Sequence, residues 1–372
     1  MTPIRVLQVC AEPFAGGGQE SYLMNMYRHV DRTRVQFDFY TPFANRMPQM
    51  QQEVQALGGR LWASHFPFGE DNRGYLRRGL SAFLEEHPYE IVHVHSGSVY
   101  ALACAAKIAR RSGARRVAVH SHCGGFANLQ YRVARLWTRR ALSVYPTDYF
   151  ACSHLAARWK FPPSVIRQGK YTVLKNAVDT AALRYDPVRR EQTRRQLGLT
   201  DGPIIGHVGR FSLQKNHRFL LQVFAALTEL EPQAQLVLVG DGELLDETLE
   251  QVDKLGLEQR VHYLGTRQDI PALMNAFDVL LLPSFFEGLP MVGVEAQAAG
   301  LPVVTSTGVT RELPLDDLAT YLPLTDTAHQ WARTVQRVLS IPRRDTTAEM
   351  IACGYDVREA ARRMQQRYEE MT

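Results

Sequence analysis

The stretch SFFEGLPMVGVEAQAAG, residues 284–300, carries two carboxylates, Glu287 and Glu295, in otherwise apolar company. A carboxylate in such a setting needs hydrogen-bond donors, and sugar hydroxyls are donors of that kind. LLLPS reads as a buried strand, FFEGLP as the loop after it and MVGVEAQAAG as the next helix. Glu287 then sits at a strand's C-terminal end, and Glu295 about a turn and a half into the helix. The loop backbone through Gly288, Leu289, Pro290, Met291 and Val292 faces the same place and forms an anion site. The competing reading makes Glu295 an exposed helix residue and Glu287 a cap.

Three further stretches could do chemistry. GRFSLQKN, residues 209–216, follows a strand and precedes a helix. Its Arg210 and Lys215 supply a forked donor and a point charge, a pair suited to a diphosphate. AGGGQES, residues 15–21, puts Gly17 and Gly18 between a strand and a helix, where backbone amides can approach a phosphate. Its spacing is not that of the dinucleotide fingerprint, and tight-turn glycines explain it equally well. Finally, His93/His95 and His120/His122 form two i,i+2 pairs, each on one face of its strand. Four histidines could hold zinc, but only Cys123 stands nearby at ligand spacing. The reading is therefore no metal, one histidine acting on substrate and the others structural.

These residues must be held by something, and the pattern around them alternates buried strand, glycine loop and helix. The alternation runs from IRVLQVC through YTVLKNAV and restarts at PIIGHVGR. The fold class expected is α/β, two doubly wound Rossmann-like units, each a parallel sheet covered by helices. Such units bind ligands outside the carboxyl ends of their strands, and two in one chain put the site in the cleft they face.

Composition agrees with a globular protein: 372 residues, 45% hydrophobic and 22% charged. No apolar run is long enough to span a membrane, and MTPIRVLQVCAEPF reads as a first strand rather than a secretory signal. Five scattered cysteines without a C-x-x-C pair suggest reduced thiols and a cytoplasmic setting. Charge is uneven. Residues 1–174 hold 22 Lys+Arg against 11 Asp+Glu, and the remainder 21 against 27. A basic half suggests an anionic partner. Arg132, Arg135, Arg139 and Arg140 stand among Leu136, Trp137 and Leu142, a basic amphipathic pattern suited to an anionic membrane surface. Nucleic acid is not expected, because no aromatic-interleaved basic motif is present.

Taken together, the E-x7-E of Glu287 and Glu295, GRFSLQKN, LVLVGDGE, VHYLGTRQDIPALM and LKNAVD resemble the retaining, nucleotide-sugar-dependent glycosyltransferases of family 4, with the GT-B fold. The HSHC arrangement is similar to the capsule and exopolysaccharide branch. The resemblance implies an acceptor-binding unit over residues 1–170, a donor-binding unit over 171–355 and a C-terminal helix, 356–372, crossing back to the first. It implies that Arg210 and Lys215 hold the donor diphosphate and that Glu295 bonds the ribose. Glu287 and the amides of residues 288–292 would meet the transferred sugar. Gly17 and Gly18 would close on the phosphates, Gly265 and Arg267 would lie by the base, and Asn176 would sit in the hinge. The catalytic-side histidine is His122 by strand length, with His120 the alternative.

The implied reaction moves a hexosyl unit with retention, without metal or other cofactor, from a UDP-sugar ahead of a GDP-sugar. The implied acceptor is a glycan or a lipid-diphosphate-linked sugar, met by an enzyme peripheral on the inner face of the plasma membrane. Two departures stand out. TGVTREL, with Glu312, replaces the Pro-Glu common in relatives, and Asn-Ala in KNAVD replaces Asn-Gly. The rival readings are a sugar-nucleotide epimerase or hydrolase of the same fold and a non-catalytic nucleotide-sugar-binding subunit.

Overall fold

The computed structural model describes residues 2–14, 18–45, 47–69, 71–122, 129–199 and 202–372, without the side chains of 129–135 and 137. Gly17 and Cys123 lie outside the described residues, as do the side chains of Arg132, Arg135 and Trp137. The chain divides into two units, Met1–Ala177 with Val357–Thr372, and Val178–Asp356.

The first unit carries β1 (Ile4–Cys10), β2 (Val35–Phe43), β3 (Leu61–Phe66), β4 (Ile91–Ser96), β5 (Arg116–Ser121), β6 (Asp148–Ala151) and β7 (Thr172–Val173). They form one sheet in the order β3-β2-β1-β4-β5-β6-β7, and every pairing is parallel. A parallel sheet is covered on both faces, so its strands read as near-continuous apolar runs. All nine residues of β2 are buried accordingly. Leu7 and Val9 pack into one core, Val6 and Cys10 into the other, the alternation a strand imposes. Register places His93 beside Gln8, His95 beside Cys10 and His120 beside His95. These side chains therefore share one face.

The second unit carries β8 (Ile204–Val208), β9 (Gln235–Val239), β10 (Val261–Tyr263), β11 (Val279–Leu282), β12 (Val303–Ser306) and β13 (Ala319–Leu322). Their order is β10-β9-β8-β11-β12-β13, again all parallel. Strand order reverses beside β8, and the loops after β8 and β11 leave neighbouring strands at the same edge. That is where a doubly wound sheet binds its ligand.

The structure differs from the sequence expectation at three places. The first unit runs past residue 170 to Ala177, because β7 pairs with β6 through Phe150–Thr172 and Ala151–Val173. YTVLKNAV contributes only those two strand residues. The edge strands β3 and β13 are additions, short and only partly buried, which weakens their apolar signature. The final helix, Val357–Glu369, is charged outside and apolar inside. Val357, Ala360, Ala361, Met364 and Tyr368 are buried in the first unit's core with Val6 and Phe37. This stripe at helical spacing is what returns the chain's end to the first sheet. The chain enters and leaves the second unit side by side: the Val178 N–H donates to Tyr355 O at 2.9 Å, and Thr180 Oγ1 donates to Asp356 Oδ2 at 2.6 Å.

Met364 is fully buried, so Met364→Ala is expected to cost about 2–5 kcal/mol. In urea unfolding the loss should fall on the first unit's transition and leave the second unit's midpoint unmoved.

Candidate active site

In the second unit the site is built by lacing two loops. After β8 the chain passes through a short 3₁₀ turn, Leu213–Lys215, and Asn216 takes a left-handed backbone (φ 57°). Asparagine tolerates that conformation better than most residues, and the helix His217–Leu230 starts directly after it. Asn216 Nδ2 donates to Pro283 O at 3.1 Å, the Phe285 N–H donates to Gln214 O at 2.9 Å, and Gln214 Nε2 donates to Phe286 O at 3.0 Å. The loop after β8 is thus tied to the loop after β11.

That lacing sets Lys215 Nζ 2.9 Å from Glu287 Oε1, with side-chain exposures of only 14% and 9%. Ser284 Oγ donates to the same oxygen. The lysine stem lies across Gly209, where a Cβ would come 2.9 Å from Lys215 Cε. The backbone of Glu287 is held from the other side by the loop after β12. Its N–H donates to Gly308 O at 3.1 Å, and its carbonyl accepts from the Thr310 N–H at 3.3 Å. A Cβ on Gly308 would stand 2.1 Å from Phe285 O, so only glycine fits there. The divergent TGVTREL segment therefore still contributes, through its backbone. Beneath Lys215 lie two buried rings that sequence reasoning passed over, His207 and His217. Burial holds both below the usual histidine range, helped at His207 by His217 and then Lys215, and at His217 by Lys215, which with burial brings His217 down to about 4. Both are neutral near pH 7, which leaves the lysine as the local cation.

Glu295 lies in the helix Met291–Ala298, whose other residues after Met291 are all buried. Desolvation pushes its carboxyl up to about 7, and no protein donor to it is found among the described residues. It is therefore not the exposed helix residue of the competing reading. The same helix has Pro290 at its start and no side-chain cap. Its first free amides are those of Met291 and Val292, since the Gly293 and Val294 N–H groups already reach Pro290 O. An uncapped helix start with bare amides favours an anion. Gly288 and Leu289 precede this helix start in the loop after β11.

Not every expected residue joins this cluster. Arg210 is exposed and pairs with Glu243, Nε to Oε2 at 3.0 Å. Arg267 forks onto Asp269 at 2.8 and 2.6 Å, a local pair at the surface. Gly265 takes φ +65° and accepts the Gly240 N–H at 2.9 Å, which makes it the turn residue after β10.

In the first unit the histidines separate by depth. His120 is fully buried, edge-on to Tyr22 at 5.3 Å and beside Phe150. It cannot touch a substrate without repacking the core. His122, just past the end of β5, is partly exposed. Gly18 opens the helix Gly18–His29. Nitrogens of His93, His95 and His120 approach within 4.8 Å of one another, yet both nitrogens of His95 already have partners, His122 and Gln8. In the amphipathic helix Leu129–Val144, Leu136, Arg139 and Arg140 are exposed, whereas Leu142 is buried and belongs to the core. A cavity of about 560 Å³, lined by Arg5, Arg60, Trp62 and Tyr89, touches none of the site residues.

Comparison with known proteins finds family matches in both units. Residues 189–356 match the family "Glycosyl transferases group 1", and residues 17–177 match "Glycosyl transferase 4-like domain". EpsF of Bacillus subtilis (strain 168), named as a glycosyltransferase, is 35% identical over 353 residues, covering 92% of this chain and 91% of that protein. The 2-deoxystreptamine glucosyltransferase of Streptomyces kanamyceticus is 30% identical over 68% of this chain and 69% of its own length. Among solved structures, Anabaena HepE in complex with UDP superposes with a TM-score of 0.73 at 20% identity, over 99% of this chain and 100% of that one. WaaG, a glycosyltransferase of lipopolysaccharide biosynthesis, gives 0.70 at 18% identity, over 98% and 99%. Identity at the level of EpsF, sustained over nearly the full length of both proteins, is more than one shared domain in unrelated chains, and the chain therefore belongs to the glycosyl transferases of group 1, built on the GT-B fold.

Proposed function

We propose that this glycosyltransferase moves a hexosyl unit, with retention and without metal, from a nucleotide-diphosphate sugar to a glycan or lipid-linked acceptor in the making of a cell-surface polysaccharide. The observation that carries the reading is the Lys215–Glu287 pair beside a bare helix start. In the second unit, the donor unit, the lysine and the Met291 and Val292 amides would take the diphosphate. Glu287 would turn to the hydroxyls of the sugar, Glu295 to the ribose, and Gly265 and Arg267 would flank the base. Arg210 would join once it leaves Glu243. Gly17 and Gly18 of the first unit would close on the phosphates, and His122 would serve the acceptor side.

The chemistry follows from what the site offers. Glu287 is already engaged by a lysine and a serine, which makes it a poor nucleophile. Front-face displacement suits such a site: the departing phosphate oxygen takes the acceptor's proton, and Lys215 with the helix amides carries the developing charge. UDP-sugars stand ahead of GDP-sugars because the neighbours of this fold include HepE with UDP and with UDP-glucose. A glycan acceptor is in keeping with membership of the glycosyl transferases of group 1.

The central test is product analysis with a panel of nucleotide sugars and a lipid-diphosphate sugar. Lys215→Ala is expected to lower kcat by roughly 10²–10³ while unfolding in urea remains cooperative. Full activity in that variant, or free sugar released without acceptor by the native protein, would reject the assignment.

A second expectation concerns pH. Glu295 titrates near 7 in the free protein, and ribose hydroxyls donate to its ionised form. UDP affinity should therefore weaken as pH falls from about 8 to 5, with a proton released on binding at pH 6. Calorimetry in buffers of different ionisation enthalpy measures that release. Glu295→Gln should flatten the profile, and an unchanged slope in the variant would assign the titration elsewhere.

A third concerns the membrane. No helix among the described residues is long and apolar enough to cross one. The helix Leu129–Val144 does expose Leu136, Arg139, Arg140 and Val144, a surface suited to anionic lipid. Sedimentation with liposomes should show binding that needs anionic lipid, falls with salt and drops in the Arg139→Glu, Arg140→Glu double variant. Equal sedimentation with neutral lipid would dismiss the surface.

A further inference from the structure

The core of the first unit holds a line of hydrogen bonds that runs from the final helix to the end of β5. Gln8 on β1 stands at its centre. Its amide oxygen lies 2.8 Å from His95 Nε2, and its NH2 donates to Tyr368 OH at 3.2 Å. His95 Nδ1 in turn lies 2.8 Å from His122 Nε2. Tyr368 OH accepts from Gln8, lies 2.5 Å from His93 Nδ1 and reaches Met364 Sδ at 3.3 Å. Gln8, His95, His93 and Tyr368 are all buried.

With the Gln8 oxygen turned to His95 and its NH2 to Tyr368, proton accounting along this line has one outcome. An amide oxygen only accepts, so His95 Nε2 carries hydrogen. A neutral imidazole has a single N–H, so His95 Nδ1 is the lone-pair nitrogen. His122 Nε2 is then the donor, and His122 Nδ1 carries the lone pair. The neutrality this requires is supplied by burial, which holds His95 and His122 well below the usual histidine range.

We propose that Tyr368, Gln8 and His95 are positioning residues that hold His122 as the Nε2–H tautomer, so that it meets substrate as a hydrogen-bond acceptor. The group it recognises is then a donor, a sugar hydroxyl, and not a phosphate oxygen. The final helix thereby acquires a chemical role: with its hydrogen directed to Met364 Sδ or His93 Nδ1, the Tyr368 hydroxyl is left as an acceptor and keeps the Gln8 amide from turning over. The proposal rests on the reading above only for His122's place beside substrate.

The test uses full-length protein labelled with ¹⁵N-histidine. Long-range proton–nitrogen correlation reads each ring's tautomer, and His122→Gln identifies the His122 signal. The native protein should show Nε2–H on both His95 and His122. Gln8→Leu removes the acceptor, and Tyr368→Phe removes the oxygen that orients the amide. Both should give a mixture of tautomers at His122. In transfer, Gln8→Leu should lower kcat about tenfold, the scale of one buried hydrogen bond, with KM for the nucleotide sugar unchanged.

Nδ1–H on His122 in the native protein overturns the proposal, as does an unaltered tautomer in both Gln8→Leu and Tyr368→Phe. Stoichiometric zinc in the purified protein also overturns it, since a metal shared by His93, His95 and His120 would take a nitrogen the line uses. Should Gln8→Leu fail to fold, Tyr368→Phe decides. The spectra need no substrate, so a wrong tautomer and an absent transferase activity register as separate failures.

Discussion

A lysine and a carboxylate withdrawn from water together are tolerable only because each has the other. Removing either partner of a buried pair leaves an uncompensated charge and costs several kcal/mol. At Lys215 and Glu287 this constraint reaches far into the second unit. The pair forms only if the loops after β8 and β11 are laced, which needs Asn216 in its left-handed backbone and Gln214 bonded to Phe285 and Phe286. It also needs Gly209 and Gly308, where a side chain would collide with Lys215 or Phe285. The parallel sheet brings these loops to one edge, and the ion pair selects the loop conformations that make the edge a site.

The pair is also poised for exchange. In the free protein Glu287 occupies the lysine. A diphosphate carries more negative charge than one carboxylate and would compete for the same ammonium, which frees Glu287 for hydroxyl donors. Ser284, which donates to Glu287 in the free protein, would stay on it through such an exchange and keep the carboxylate from being left bare. Such a site binds its ligand by replacing one compensated charge with another, at a lower desolvation cost than uncovering an isolated cation.

Much of this was legible in the sequence, and what was not has a common cause. The two doubly wound units follow from alternation of buried strands and helices, which is local. The spacing of Glu287 and Glu295 across a loop and the helix it starts is local too. The partners that give those residues their properties are distant in sequence. Nothing near Glu287 announces Gly308, nothing near Arg210 announces that it rests on Glu243, and nothing near His95 announces Gln8. The short edge strands β3 and β13 escaped notice because half-buried segments lack the continuous apolar signature of the central strands. The i,i+2 spacing of the histidines showed a shared face but not depth. Depth depends on the helices Gly18–His29 and Val357–Glu369 that cover the face.

Depth is what divides the histidines by task. His120 lies in the same stripe as His93 and His95, on the same face, yet its burial beneath Tyr22 makes it part of the packing. His122 stands one step further along and reaches the surface. A ring at the surface can touch a ligand, but an unrestrained imidazole divides its time between two tautomers, only one of which suits a given partner. Coupling it to a buried ring whose own tautomer is set by an amide removes that loss before the ligand arrives. The restraint costs little where it acts, because His95 is buried and neutral and is bonded at both nitrogens in any case. A core that has to satisfy its polar groups can therefore also pre-orient a group at its rim. On this account a helix closing the far end of the chain belongs to the chemistry as well as to the fold.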